Sequence, residues 1–132
     1  MLTGGCYCGL IRFAVDGPVT HETNCHCSIC RRTSGAPYVA WFTAASDRFR
    51  WTAGEPTRFA STARAARSFC PSCGTQLTFE HRDFPTEIDI TICSLDDPDA
   101  IEPLHHIHTE GRPRWVMPGD GKPEFPGYRS DD

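Results

Sequence analysis

Lysine is almost missing from this 132-residue chain: Lys122 is the only one, and arginine supplies the other side-chain cations. Thirteen basic residues face seventeen acidic ones, for a formal net charge of −4 and a pI near 5.8. Non-specific nucleic-acid binding is driven by neutralising phosphates, so an acidic balance without a basic tail argues against it. Long apolar runs are missing too, and the mean hydropathy is −0.41, which excludes a helical membrane span. Residues 1–6 have neither a basic n-region nor an apolar h-region, so no secretion signal is expected and the chain is assigned to a reducing cytoplasm. No window of 11 or more residues carries a helical stripe. A Ser-His-Asp order, a phosphate-binding glycine loop, a dinucleotide fingerprint and an internal repeat are all absent. No linker is long enough to divide the chain, which reads as a single domain over 1–132.

Cysteine, by contrast, is abundant. Seven of the eight cysteines fall in three tight groups: Cys6 and Cys8, then Cys25, Cys27 and Cys30, then Cys70 and Cys73. Neighbours this close in sequence do not close relaxed disulfides. In a reducing compartment such spacings suit knuckle turns that present thiolates to a metal. Zinc is the default, because iron–sulfur clusters need other spacings. A closed structural zinc takes four ligands. Spacing alone leaves open which groups share it. The two pairs add to four, which is the economical choice, and Gly74 frees the turn after Cys73. The central group then offers three thiolates and an open fourth position, the mark of a catalytic zinc. Closure by His26, Cys93 or another histidine, and a redox role for the three thiols, stand as alternatives.

Between the cysteines the chain reads as short strands at 10–15, 38–42, 49–52, 57–61, 67–69, 75–79, 87–93 and 105–108, broken by Gly and Pro. Residues 31–36 could make one helical turn, stopped by Gly35 and Pro37. Leu77 and Phe79 are expected on one face, and Ile88, Ile90 and Ile92 inward. The fold class is therefore mainly β: antiparallel sheets packed as a sandwich, with little helix. The tail from Gly111 reads as an ordered loop anchored by Trp115 and Phe125.

The runs G-G-C-Y-C-G, C-H-C-S-I-C-R-R-T-S-G-A, R-S-F-C-P-S-C-G-T-Q-L and S-L-D-D-P, taken in order, resemble the glutathione-dependent formaldehyde-activating enzyme family, which includes the centromere protein V proteins. The likeness runs from Gly5 to about Trp115. It implies a zinc-containing, mostly β fold of the Mss4-like type. It implies a structural zinc on Cys6, Cys8, Cys70 and Cys73, and a second zinc on Cys25, Cys27 and Cys30 that need not be filled in the resting protein. The founding activity joins glutathione and formaldehyde into S-hydroxymethylglutathione, formally carbon–sulfur lyase chemistry, so the implied partners are a small thiol and an aldehyde. His106 also resembles a recurrent position of the family.

Three thiolates on one Zn²⁺ leave a net negative charge. Arg31 and Arg32 lie beside it in sequence and could offset it, or receive a substrate carboxylate. Cys93 is expected as a packed thiol. Alternation puts His106 and His108 on one face, where one of them could shuttle protons. Asp96-Asp97-Pro98 reads as a turn with capping carboxylates. Two other functions compete with the zinc enzyme: a non-catalytic zinc module that binds a partner, and a thiol redox protein using Cys93.

Overall fold

The computed structural model describes residues 1–128; the last four positions of the single-domain expectation lie outside it. Two sheets dominate the described residues. The smaller holds β1 (Leu2–Gly5), β2 (Arg12–Val15) and β5 (Phe49–Ala53), in the order β1-β2-β5. The larger also contains β3 (Thr20–Cys25), β4 (Val39–Ala45), β6 (Thr57–Thr62), β7 (Ala65–Phe69), β8 (Gln76–His81), β9 (Glu87–Thr91) and β10 (His105–Ile107), in the order β10-β3-β4-β9-β8-β7-β6. The pairing is antiparallel except that β10 runs parallel to β3. The mainly β class follows directly from the alternating patterns. No helix of the described residues is long and apolar enough to cross a membrane.

The main core lies between the sheets. Phe13 and Val15 of β2 meet Phe42 and Ala44 of β4 and Ile88 and Ile90 of β9, with Phe49 and Trp51 packed alongside. Phe13 stacks on Phe49 at 5.5 Å between centroids, and Phe49 meets Trp51 edge-on at 4.8 Å. Burying each such large side chain stabilises the fold by about 1.5–3 kcal/mol. The other face of the large sheet carries a second, smaller cluster of Cys25, Cys30 and Trp41, with Phe79 and Ile107 against it. A short helix, α1 (Ser28–Ser34), supplies Cys30 to that cluster.

Several expectations change. The helix begins three residues before the expected turn, because the Cys27 side chain caps it by accepting from the Cys30 amide; Gly35 ends it in the left-handed region, at φ 69°. Leu77 enters the main core while Phe79 joins the second cluster. A register shift between Ser68 and Phe69, opposite Leu77, breaks the alternation that would put both on one face. The strand ending in Cys93 stops at Thr91, and a 3-10 turn over Ile92–Ser94 turns the Cys93 thiol outward: it is exposed, not packed. His108 leaves the last strand through a left-handed backbone, φ 55°, so it does not share a face with His106. Trp115 is 71 % exposed, so the tail is not anchored by burying it. Phe125 does hold the tail, packing edge-on against His105 and exchanging backbone hydrogen bonds with His106 and Thr109. Asp97 caps the turn at Asp99 as expected.

Candidate metal centres

The C-terminal ends of β1 and β7 bring the two cysteine pairs together across more than sixty residues of chain. Cys6 follows the first strand, and its carbonyl accepts from Gly9, whose φ of +84° lets the chain double back. Cys70 follows β7, and its carbonyl accepts from Gly74 at φ +82°. The amides turn inward: Ile11 donates to Cys6 Sγ at 3.2 Å, and Ser72 and Cys73 each donate to Cys70 Sγ at 3.4 Å. Amide donors aimed at sulfur favour its thiolate form. The Thr75 hydroxyl beside Cys73 holds that thiol down to about 5. All four Sγ atoms lie within 4.8 Å of one another. Cys6 and Cys8 are 3.6 Å apart and Cys8 and Cys70 3.8 Å, too far for disulfides. A tetrahedral zinc with bonds of about 2.3 Å sets its sulfurs about 3.8 Å apart, so the four residues fit that ion.

The central group lies at the β3–α1 junction. Cys25 ends β3 and is buried, Cys27 caps the helix, and Cys30 is buried in its first turn. Their three Sγ atoms also lie within 4.8 Å of one another, with no fourth Cys, His, Asp or Glu ligand among the described residues. Contact with Cys27 and Cys30 drives the Cys25 thiol far up, while hydrogen bonds from Cys25 and Cys30 hold Cys27 down at about 2. Three thiols so close do not ionise together unless a cation joins them, so the donor set suits a thiophilic divalent ion.

His26 does not close this group. It is fully buried on the far side of the strand, where Nε2 lies 2.8 Å from His106 Nδ1. His106 Nε2 lies 2.8 Å from the Asp120 carboxylate. The Tyr38 ring stacks on His26 at 4.5 Å and meets His106 edge-on at 5.5 Å. The parallel β10–β3 pairing sets His106 opposite Asn24 and lets the Ile107 carbonyl accept from the His26 amide. Burial lowers the His26 pKa to about 4, with help from the charges of His106 and Arg112.

The arginine expected next to the thiols is elsewhere. Arg31 is half-buried and donates to the Gly111 carbonyl at 3.2 Å; Arg32 is exposed. The guanidinium against the thiols belongs to Arg67, whose Nη2 lies 3.6 Å from Cys30 Sγ. It comes from β7, the strand leading into Cys70, so only its place in the R-S-F-C run marks it in the sequence. His105 bonds Thr23 and lies away from either thiol group, and His108 packs on Tyr128. A cleft of about 610 Å³ runs from Cys6, Tyr7 and Thr75 to Tyr38 and Ala36, with Cys93 on its wall; none of Cys25, Cys27 or Cys30 lines it.

Known proteins are similar to this chain. A family model described as glutathione-dependent formaldehyde-activating enzyme matches residues 1–111. A Halomonas elongata protein, provisionally named as a glutathione-dependent formaldehyde-activating enzyme, is 31 % identical over 126 residues, covering 88 % of this chain and 80 % of its own. A crystal structure of a Rhodobacter sphaeroides protein superposes with a TM-score of 0.62 at 23 % identity, covering 93 % of this chain and 98 % of that one, a likeness of fold. With the order of its cysteine groups and a family match over most of its length, the chain belongs to the glutathione-dependent formaldehyde-activating enzyme family.

Proposed function

We propose that this protein is a zinc-dependent carbon–sulfur lyase of the formaldehyde-activating type, acting on a small thiol–aldehyde adduct such as S-hydroxymethylglutathione. Cys6, Cys8, Cys70 and Cys73 would hold a closed structural zinc, and Cys25, Cys27 and Cys30 a second ion. The contrast between the groups carries this reading: one set of four sulfurs is complete, and one set of three leaves a position free. An ion held by Cys25, Cys27 and Cys30 would supply Lewis-acid polarisation of an aldehyde oxygen, or a place for a thiol.

The chain's own residues do the rest. Holding thiol and aldehyde together saves part of the about 7–11 kcal/mol that proximity can contribute at most. Arg67 sets a permanent positive charge against Cys30 Sγ, one of the three sulfurs. The His26–His106–Asp120 hydrogen bonds fix the backbone between Cys25 and Cys27 from the opposite side. Arg31, tied to Gly111, lies on the helix that carries Cys30 and is the nearer candidate for a substrate carboxylate than Arg32. None of the eight cysteines is in a disulfide, as expected of a protein in a reducing cytoplasm.

The test is exchange spectroscopy on glutathione and ¹³C-formaldehyde at equilibrium, with zinc per chain measured on the same sample. Acceleration of adduct exchange by the wild-type protein with two zincs, lost in Cys27→Ser, is the expected result. Two bound zincs with exchange at the spontaneous rate would reject the lyase. A non-catalytic zinc module would then be the remaining reading.

A further inference from the structure

We propose that Arg67 is the internal counter-cation of the three-cysteine centre, the residue that lets it hold a divalent ion on three thiolates and still accept an anionic fourth ligand. The inference rests on the metal reading of Cys25, Cys27 and Cys30 given above.

Arg67 is 4 % exposed. Its guanidinium carbon lies 5.1 Å from the Phe79 ring centroid and 5.8 Å from that of Trp41. Nη1 donates to Thr33 Oγ1 at 3.3 Å and Nη2 to Cys30 Sγ at 3.6 Å, while Nε has no partner. Among the described residues no carboxylate pairs with it; Asp89 feels its charge but takes its own hydrogen bond from Thr43. A buried cation without an anion is strongly disfavoured. The sulfur of Cys30 is the anion on offer, and the Phe79 and Trp41 rings hold the guanidinium beside it.

Charge then decides what the centre can bind. A divalent ion on three thiolates is a monoanion, and an incoming thiolate would make it a dianion in a buried place. With Arg67 the same states become neutral and monoanionic. Arginine suits this because it never loses its proton and it stacks on rings; lysine would keep the charge and lose the stacking. Arg31 and Arg32 do not substitute for it, being bound to a carbonyl and exposed to solvent respectively.

Arg67→Met and Arg67→Lys test this. The first measurement is zinc per chain during chelator competition. Wild type should hold two ions. Arg67→Met should release one of them about 10–100-fold more readily, the range seen when groups supporting metal ligands are lost, and keep the other. The second measurement uses protein loaded with Co²⁺, titrated with 2-mercaptoethanol and with imidazole while the cobalt spectrum is followed. Arg67→Met should lower the preference for the thiolate over the neutral imidazole by about 10-fold; Arg67→Lys should largely preserve it. Loss of packing alone would weaken both ligands together, and that result, or wild-type retention and preference in Arg67→Met, overturns the proposal. If Arg67→Met does not fold, Arg67→Lys decides: with normal circular dichroism and the four-cysteine zinc in place, a lost thiolate preference overturns the proposal and a kept one supports it. One zinc in wild type would instead remove the metal centre itself, and the role of Arg67 with it.

Discussion

His26 Nε2 and His106 Nδ1 lie 2.8 Å apart between two fully buried rings, joined across 80 residues of chain. The Asp120 carboxylate only accepts, so His106 turns Nε2–H toward it. When both rings are neutral, His106 Nδ1 is bare and accepts from His26 Nε2–H. His26 Nδ1 is left as a buried nitrogen without a partner. The chain of bonds ties the Cys25–Cys27 backbone to β10 and the loop at Asp120. His106→Ala strands His26 Nε2 and opens a cavity, and should destabilise the zinc-loaded protein by about 2–4 kcal/mol. Asp120→Ala removes a bond at a side chain that is 33 % exposed and should cost about 1–2 kcal/mol. Denaturant titrations check the order; equal costs would mean that His106 is not the central link.

The two metal centres should fail differently. If the four-sulfur group holds zinc as proposed, removing a ligand would remove an ion whose apparent binding energy is about 10 kcal/mol or more, comparable to the whole stability of a domain. Cys73→Ser is therefore expected to unfold the protein, or to leave it folded only in cold, chelator-free buffer. Cys27→Ser should keep the fold and lose one zinc. Zinc per chain, read beside far-ultraviolet circular dichroism, separates the two. A folded Cys73→Ser protein with full thermal stability would contradict the structural role.

Two glycines near the same centre give opposite expectations. A Cβ on Gly5 would stand 2.3 Å from the Ile11 carbonyl oxygen, a backbone atom that cannot step aside. Gly5→Ala should displace the Cys6 turn, cost more than about 2 kcal/mol and weaken the four-cysteine zinc. Gly74 has open space around its Cβ position and is constrained only by φ +82°, so Gly74→Ala should cost about 1–2 kcal/mol and keep the ion. Thermal melts with a zinc-release dye report both; the reverse order would disprove the packing argument.

What could be read from the sequence follows locality. The thiol groups, the stop at Gly35, the turn at Gly74 and the isoleucines of β9 each declare themselves within a few residues. The strand β3, Thr20–Cys25, is polar and shows no alternation; it becomes a strand because β4 and β10 pair with it on both sides. His106 stands out by likeness to a family and by its alternation with His108, but its partners do not, since His26 and Asp120 meet it through a parallel pairing and a distant loop. Arg67 is the sharper case. Arg31 and Arg32 are nearest to the thiols in sequence, but a helix points its successive residues in different directions, while a strand 37 residues on delivers its guanidinium to Cys30.

Asp89 provides a prediction free of the metal ligands. Burial holds its carboxyl up to about 6, against the hydrogen bond from Thr43 Oγ1 at 2.6 Å, and the charge of Glu87 adds to the rise. The folded state therefore keeps this proton more tightly than the unfolded chain does. The resulting penalty on folding is small near the unfolded pKa of 3.8, grows as pH rises, and is complete above about 6. From the shift its full size is about 2–3 kcal/mol. Asp89→Asn keeps an oxygen for Thr43 and never ionises. It should be more stable than wild type by about 2–3 kcal/mol at pH 7–8, with the gain shrinking to about 1 kcal/mol near pH 4.5. Comparing the two proteins at each pH cancels the loss of zinc that acid causes in both, so urea titrations across that range isolate the carboxyl. A gain that stays constant with pH would show that the substitution acts through packing. A loss at pH 8 would show that the charge of Asp89 is needed where it lies, within electrostatic reach of Arg67.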